Sequence, residues 1–302
     1  MEPVRKPVDS GLLLSELSAD KLIKRTNRDG NEIYEIIASD CPNVMQEIGR
    51  IRELAFRKAG SGTGKSADID ALDTGAVPYK QLIIWDPAQK IILGGYRYKE
   101  GWNAEKSNEQ YILGTARLFE YSELFIREFL PHTIELGRSF IHPDFQTTGD
   151  SKKIMFVMDN LWNGLGSLIT RFPQLKYFIG QVSLYKSFDP LARDLIMYFF
   201  EKHCEQPDWL IRAKSPLSYH HSKETVANIL NASDRDNDLK ILSREVRLRG
   251  ETIPPMMNTY LNISPSLQSF GTVDNPYFEN MEDTGIMITI GDIYASKKDR
   301  HL

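Results

Sequence analysis

Apolar residues recur along this chain with two periods, one helical and one alternating. Across Pro42–Lys58 the positions Val44, Ile48, Ile51, Leu54 and Ala55 fall at helical spacing, and Pro42 suits a first helical turn. Ile154, Met155, Met158, Leu161, Trp162, Leu165 and Leu168 mark one face of a longer helix, and Pro190–His203 predicts a third. Between them lie β-type runs at 32–37, 79–85, 91–98, 111–119, 133–141, 176–184 and 285–290. Asp86-Pro87-Ala88-Gln89 is a turn signal that makes the second and third of these a hairpin. Short helices are expected near 124–129 and 239–249, Pro254-Pro255-Met256-Met257 reads as extended, and Leu12, Leu13, Leu14 and Leu17 predict an amphipathic turn or two near the start. No repeat or long Pro/Gly/Ser linker divides the chain. The pattern predicts a mixed α/β domain over 31–204, preceded by a segment 1–30 and followed by a C-terminal extension, 205–302, packed on it.

Composition narrows the function classes. At 302 residues with 41% hydrophobic content the chain can bury a full core, and 37 Lys+Arg against 41 Asp+Glu argue against a nucleic-acid coat. Cys41 and Cys204 are too few for a disulfide scaffold and too isolated for a zinc site, so no metal is expected and a reducing cytoplasm is the simplest home. No apolar run reaches the roughly 18 to 20 residues of a membrane span, although the N-terminal leucines suit a peripheral contact with the inner face of a membrane.

Ala59-Gly60-Ser61-Gly62-Thr63-Gly64-Lys65-Ser66 satisfies a relaxed phosphate-loop pattern. That chemistry needs a buried strand before the loop and a helix starting at Lys-Ser, so that N–H groups converge on phosphate. Here a charged amphipathic segment precedes it and an acidic stretch follows, which favours a Gly/Ser connector over a nucleotide-binding loop.

The strongest local signal is Glu135-Leu136-Gly137-Arg138 on the strand before His142-Pro143. Glu135 and Arg138 are an odd number apart and face opposite sides unless a bulge intervenes, and a salt-bridge network explains either residue equally well. The turn Gln146-Thr147-Thr148-Gly149-Asp150-Ser151 then opens the long helix, where N–H groups can converge on a phosphate. His142, His220 and His221 read as turn or surface residues.

In these residues the chain resembles the GNAT acyltransferases, whose acyl-carrier pocket uses a turn of the form Arg/Gln-x-x-Gly-x-Gly/Ala; Ser151 stands at its last position. Within that superfamily it is similar to the ornithine-lipid and glycine-lipid N-acyltransferases, often labelled hemolysin-like, and more distantly to acyl-homoserine-lactone synthases. The similarity runs through Arg52 and Phe56, Asp70 and Asp73, Leu113-Gly114-Thr115-Ala116-Arg117, Glu135 to Ser139 and Trp162-Asn163-Gly164, then more loosely through Ile253-Pro254-Pro255 and Phe270 to Asp274.

The resemblance implies a mostly antiparallel, twisted central sheet flanked by helices. It further implies transfer of a 3-hydroxy fatty acyl group from the phosphopantetheine thioester of acyl carrier protein, or from acyl-CoA, to the amine of glycine or ornithine in aminolipid synthesis, with no permanently bound cofactor. Glu135 is then the base and Arg138 its catalytic companion, while Arg52, Phe56, Asp70, Asp73 and Arg117 bind substrate and Gln146, Gly149 and Ser151 hold the carrier phosphate. For Asp70 and Asp73 an acidic surface loop is the plain alternative; Arg117, expected on an apolar strand, is harder to explain without a partner. Phe156, Leu161, Trp162 and Phe178 are candidates for an apolar wall, and Lys152, Lys153, Arg171 and Lys176 for docking charge. Three alternatives stay open: an acyl-homoserine-lactone-type synthase, a phosphate-loop protein and a non-catalytic carrier-binding module.

Overall fold

The computed structural model describes residues 1–26, 30–146, 151–206 and 208–301, without the side chains of 146, 151–155 and 299–301. Its main sheet is built from β1 (Leu22–Arg25), β2 (Glu32–Ile36), β3 (Lys80–Asp86), β4 (Ile91–Glu100), β5 (Thr133–Ile141), β6 (Tyr177–Tyr185), β7 (Gln268–Asp274) and β8 (Met281–Thr289). Their order is β1-β2-β3-β4-β5-β6-β8-β7, antiparallel throughout except for the pair β5–β6. The helices are α1 (Ser10–Glu16), α2 (Pro42–Lys58), α3 (Ala71–Thr74), α4 (Gly114–Leu118), α5 (Pro143–Gln146), α6 (Ser151–Arg171), α7 (Pro190–His203), α8 (Lys223–Ile229), α9 (Arg235–Leu248), α10 (Pro255–Leu261) and α11 (Ala295–His301).

Alternation along β3 sorts the core into layers. Leu82 and Ile84 pack with Leu161, Leu165 and Leu168 of α6 and with α7 and α10, while Ile83 and Trp85 meet Val44, Ile48 and Ile51 of α2 on the opposite face. A further cluster surrounds α4, where Leu72, Phe119, Ile179, Phe270 and Met287 converge. Helix starts are set by side chains: Glu16 accepts from the N–H groups of Asn43 (3.0 Å) and Val44 (2.8 Å) at the head of α2, and Asp189 from those of Leu191 and Ala192 at the head of α7.

The helices across Pro42–Lys58 and Pro190–His203 and the strand across 133–141 match expectation. Three expectations need correction. The run 111–119 is no strand: it breaks into a two-residue strand, the helix α4 and a short strand from Phe119, because the N–H groups of Gly114 and Thr115 turn to a distant carboxylate. Pro254-Pro255-Met256-Met257 is not extended, since Pro255 starts α10 from its first turn. The C-terminal segment does not merely pack on a finished core: it supplies β7 and β8, and β8 pairs along all of β6.

The parallel pair β5–β6 matters most. The strands share only Thr133–Glu135 against Tyr177–Ile179, after which β5 keeps β4 and β6 keeps β8. At the point of parting a side chain at Gly180 would sit 2.9 Å from the Leu136 carbonyl oxygen, a distance real Cβ atoms avoid. Gly180→Val is therefore expected to lower stability by about 1–3 kcal/mol, read as a fall in the urea midpoint; an unchanged midpoint would show that the strands part without this close approach.

Candidate active site

The gap between β5 and β6 holds a cavity of about 250 Å³. Glu135 and Arg138 both line it, because β5 carries an extra residue there: Gly95 pairs with Phe140 but Arg97 with Gly137, and Arg138 adopts a left-handed φ of 53°. The bulge cancels the odd spacing that separates the two side chains on a regular strand.

Around Arg138 the acidic and basic residues interlock. Arg52 donates to Asp73 (3.1 Å), and Arg97 contacts both Asp70 (2.7 Å) and Asp73 (3.1 Å). Arg117 reaches Asp70 at 3.2 Å, and Arg138 contacts Asp68 through Nε at 3.0 Å, with Asp70 3.7 Å from Nη2. Asp70 caps α3 by accepting from the Leu72 N–H, and Asp73 returns a carboxylate oxygen to the Asp70 N–H, so the acidic segment folds inward rather than forming a surface loop. Aromatic faces complete the guanidinium surroundings, with Phe278 4.0 Å from Arg138, Tyr277 5.0 Å from Arg117 and Tyr79 5.1 Å from Arg97. Phe56 lines the same cavity and packs edge-on against Phe278.

Burial raises the proton affinity of the Asp70 and Asp73 carboxyls, but Arg97 beside Asp70, and Arg52 and Arg97 beside Asp73, outweigh it and hold both below the usual carboxylate range. Burial lowers Arg138 more than Asp68 and Asp70 raise it. Arg97 moves the other way, because Asp73 and Asp70 outweigh its burial.

Glu135 is buried and accepts four hydrogen bonds, from the Tyr79 and Thr115 hydroxyls and from the N–H groups of Gly114 (3.0 Å) and Thr115 (2.6 Å). A carboxylate at the head of α4 meets the partial positive charge of unpaired N–H groups. These donors fill the acceptor positions a base needs, so an amine can hand a proton directly to Glu135 only if one of them moves. Burial and Glu135 push the Tyr79 hydroxyl well above its ordinary value.

Sequence reasoning gathered Arg52, Phe56, Asp70, Asp73, Arg117, Glu135 and Arg138, and the structure brings them together, with Arg117 on α4 rather than on a strand. It missed Arg97, whose signal is a lone charge between Tyr96 and Tyr98 on a buried strand, and Asp68, Tyr79, Gln81 and Thr115. It also missed the wall from the last strands: Gln181 and Ser183 on β6, Asp283 on β8 and Asn275 beyond β7. Gly149 lies outside the described residues, as do the side chains of Gln146, Ser151, Lys152 and Lys153. Phe178 lines the cavity, and Leu161 and Trp162 line a small void beside it, but Phe156 is 40% exposed and leaves the wall. Arg171 pairs with Glu35 at 2.8 Å, and the backbone and ring of His221 donate to Asp194.

The glycine-rich segment after α2 is fastened rather than open. Glu53 accepts from the N–H groups of Thr63 and Gly64 at 3.0 Å each, Ser61 Oγ donates to the Glu279 carbonyl, and the Glu279 N–H donates to Gly62. A carboxylate of the chain itself thus takes the N–H groups that a phosphate would need.

Asp73→Ala leaves Arg52 and Arg97 buried without their shared carboxylate and is expected to cost about 3–5 kcal/mol, measured by thermal denaturation. Because the folded Asp70 and Asp73 carboxyls titrate below their unfolded values, their stabilisation is complete above about pH 5 and is lost progressively as pH falls through the unfolded and then the folded values. Asp70→Asn should flatten the acid limb of a stability-against-pH curve between pH 5 and 2.

Residues 51–155 match the family described as Acetyltransferase (GNAT) domain. Curated relatives named glycine N(alpha)-acyltransferase in Phocaeicola vulgatus and in Bacteroides thetaiotaomicron are each 44% identical over the whole chain, which spans 93% and 90% of their lengths. Among solved structures, a CoA-dependent acyl-homoserine lactone synthase with SAM and isopentyl-CoA aligns at 11% identity and a TM-score of 0.39 over 89% of this chain and 87% of that one. The acyl-homoserine lactone synthase LasI aligns at 10% identity and a TM-score of 0.36, over 88% and 96% respectively. On its full-length identity to the curated relatives, the chain belongs to the glycine Nα-acyltransferase family and is a GNAT-type N-acyltransferase.

Proposed function

We propose that the enzyme moves a fatty acyl group from a phosphopantetheine thioester to the amine of glycine, as a step in making an amino-acid lipid. The observation that carries this reading is the two-sided cleft at the parting of β5 and β6. Arg138, Arg117 and Glu135 meet on one face of the sheet, while Phe178, Ile286, Ile288, Met257 and Tyr260 line the part of the cavity that belongs to the other, apolar layer. A thioester threaded through such an opening has its chain among apolar side chains and its carbonyl beside the ionic groups.

The acceptor's carboxylate suits Arg138, which hydrogen-bonds Asp68 through Nε and keeps Nη1 and Nη2, the latter 3.7 Å from Asp70, to face a planar anion. Phe56 and Phe278 close over that end. The carboxylates of Asp68, Asp70 and Asp73 are already paired to guanidinium groups, which supports glycine over ornithine, since a second ammonium would need one of them. The names of the curated relatives support the same acceptor.

A thioester is already activated, so the enzyme has to orient an amine, relieve it of a proton and stabilise the tetrahedral oxyanion. Backbone N–H groups of β5 beyond Glu135, where β6 no longer pairs with it, are the proposed oxyanion donors. Glu135, its acceptor positions taken by Tyr79, Gly114 and Thr115, fixes α4 and, with it, Arg117. The segment 146–151 is the proposed holder of the carrier phosphate, with acyl carrier protein as donor and coenzyme A as its chemical equivalent. Among the described residues no helix is long and apolar enough to cross a membrane; Leu12 and Leu14 of α1 are exposed and are the proposed peripheral contact, while Leu13 and Leu17 join the core.

Incubating the purified protein with 3-hydroxyacyl carrier protein or acyl-CoA and either glycine, ornithine or S-adenosylmethionine tests this by mass spectrometry. N-acylglycine is expected. N-acylornithine as the main product would overturn the acceptor, a homoserine lactone would select the alternative synthase, and no acylated amine with any donor would remove the reading altogether. Arg138→Ala should lower kcat/KM for glycine by about 100-fold, the equivalent of about 3 kcal/mol for a buried charge-assisted contact.

A further inference from the structure

One carboxylate in the cleft differs from the rest. Asp283 is 2% exposed on β8, directly opposite Ser183 of β6, and lines the cavity. Its partners are neutral: Ser183 Oγ donates to Oδ1 at 2.6 Å and Asn275 Nδ2 to Oδ2 at 2.6 Å. Asp68, Asp70 and Asp73 each contact arginine and Glu135 carries four donors, whereas Asp283 keeps acceptor positions open after these two bonds. Two residues before Ser183, on the same face of β6, the Gln181 side-chain nitrogen is buried without a hydrogen-bond partner and lines the same cavity.

We infer that Asp283 receives the ammonium group of the acceptor and takes its proton, with Ser183 and Asn275 aiming the carboxylate and Gln181 donating to the bound ligand. This deepens, and rests on, the proposal that a small amino acid is anchored by its carboxylate at Arg138. The two ends of a zwitterion then have separate holders, a guanidinium on β5 and a carboxylate on β8. The acceptor enters as an ammonium, which has no lone pair, and one proton passes to Asp283. The freed lone pair forms the C–N bond at the thioester carbonyl, the tetrahedral oxyanion collapses with cleavage of the C–S bond, and the second proton leaves the nitrogen for the departing thiolate. The products are amide and thiol, and Asp283 returns its proton to solvent.

Burial raises the Asp283 carboxyl above its ordinary value, against the Ser183 and Asn275 hydrogen bonds and the Arg138 charge that lower it, so the group is a better proton acceptor than an exposed aspartate. Among the described residues, the ionisable groups that act on it or respond to it are Arg138 on β5 and Tyr185 on β6, whose hydroxyl is raised by its own burial and by Asp283.

The test is steady-state kinetics of the full-length enzyme with glycine and acyl-CoA from pH 6 to 10, comparing wild type, Asp283→Asn and Ser183→Ala, with circular dichroism to establish folding and a thermal shift on adding acyl-CoA to report donor binding. Asp283→Asn should lose at least about 100-fold in kcat/KM for glycine at pH 7, the scale of general-base catalysis. Its residual rate should climb about tenfold per pH unit as free amine becomes available, while the donor-induced thermal shift stays as in wild type. Ser183→Ala removes a hydrogen bond to the charged form and should move the acid limb of the rate profile to higher pH. Asp283→Asn activity within threefold of wild type with the same pH profile would overturn the assignment. Should that variant not fold, an unmoved acid limb in folded Ser183→Ala would do so. A wild type that acylates no glycine would instead sink the acceptor reading beneath it.

Discussion

The structure depends on a pair of parallel strands that share one short stretch and then part. Parallel pairing is forced wherever a long crossover helix returns the chain to the same end of a sheet, as α6 does between β5 and β6. Because each strand has another neighbour to hold it, β4 for one and β8 for the other, the separation does not unravel the sheet. It opens a passage between its two layers, one lined by ionic groups and the other apolar. Backbone polar groups along the parted edges lack a strand to bond, and an occupant of the passage is what can satisfy them.

The charged residues at this opening do two kinds of work. Arg52 and Asp73 are fully buried and bridged to Gln81, so they brace α2 and α3 against β3. Arg138, at the bulge, reaches the cavity together with Arg97 and Arg117, each with a carboxylate behind it. A buried ion network of this kind adds little net stability relative to apolar packing, and its value lies in holding guanidinium groups in one geometry without side-chain freedom.

Much of this could be read from the chain alone. The period of Val44, Ile48, Ile51 and Ala55 located α2, and the paired charges of Glu135 and Arg138 on one apolar strand pointed to a site and to the bulge that reconciles them. What escaped notice depends on contacts far apart in sequence. Nothing near Gly114 announces a helix start, because the carboxylate that creates it lies on β5. Asp283 sits in a polar trio, Glu282-Asp283-Thr284, whose meaning appears only when β6 is laid beside it, and Arg97 gains its carboxylate partners only when α3 folds over it. The phosphate-loop resemblance failed for a reason that is local and legible: the preceding helix carries Glu53 on the turn that faces it.

The clasp between that glycine-rich segment and Glu279 has a consequence for biosynthesis. It joins positions more than two hundred residues apart, and the wall it steadies includes Phe278 and β8. A nascent polypeptide emerging from the ribosome therefore carries its arginines and aspartates long before it has a chamber, and contacts of such sequence separation form slowly. The chamber is therefore complete only once translation has passed the final strand, which contributes its last wall.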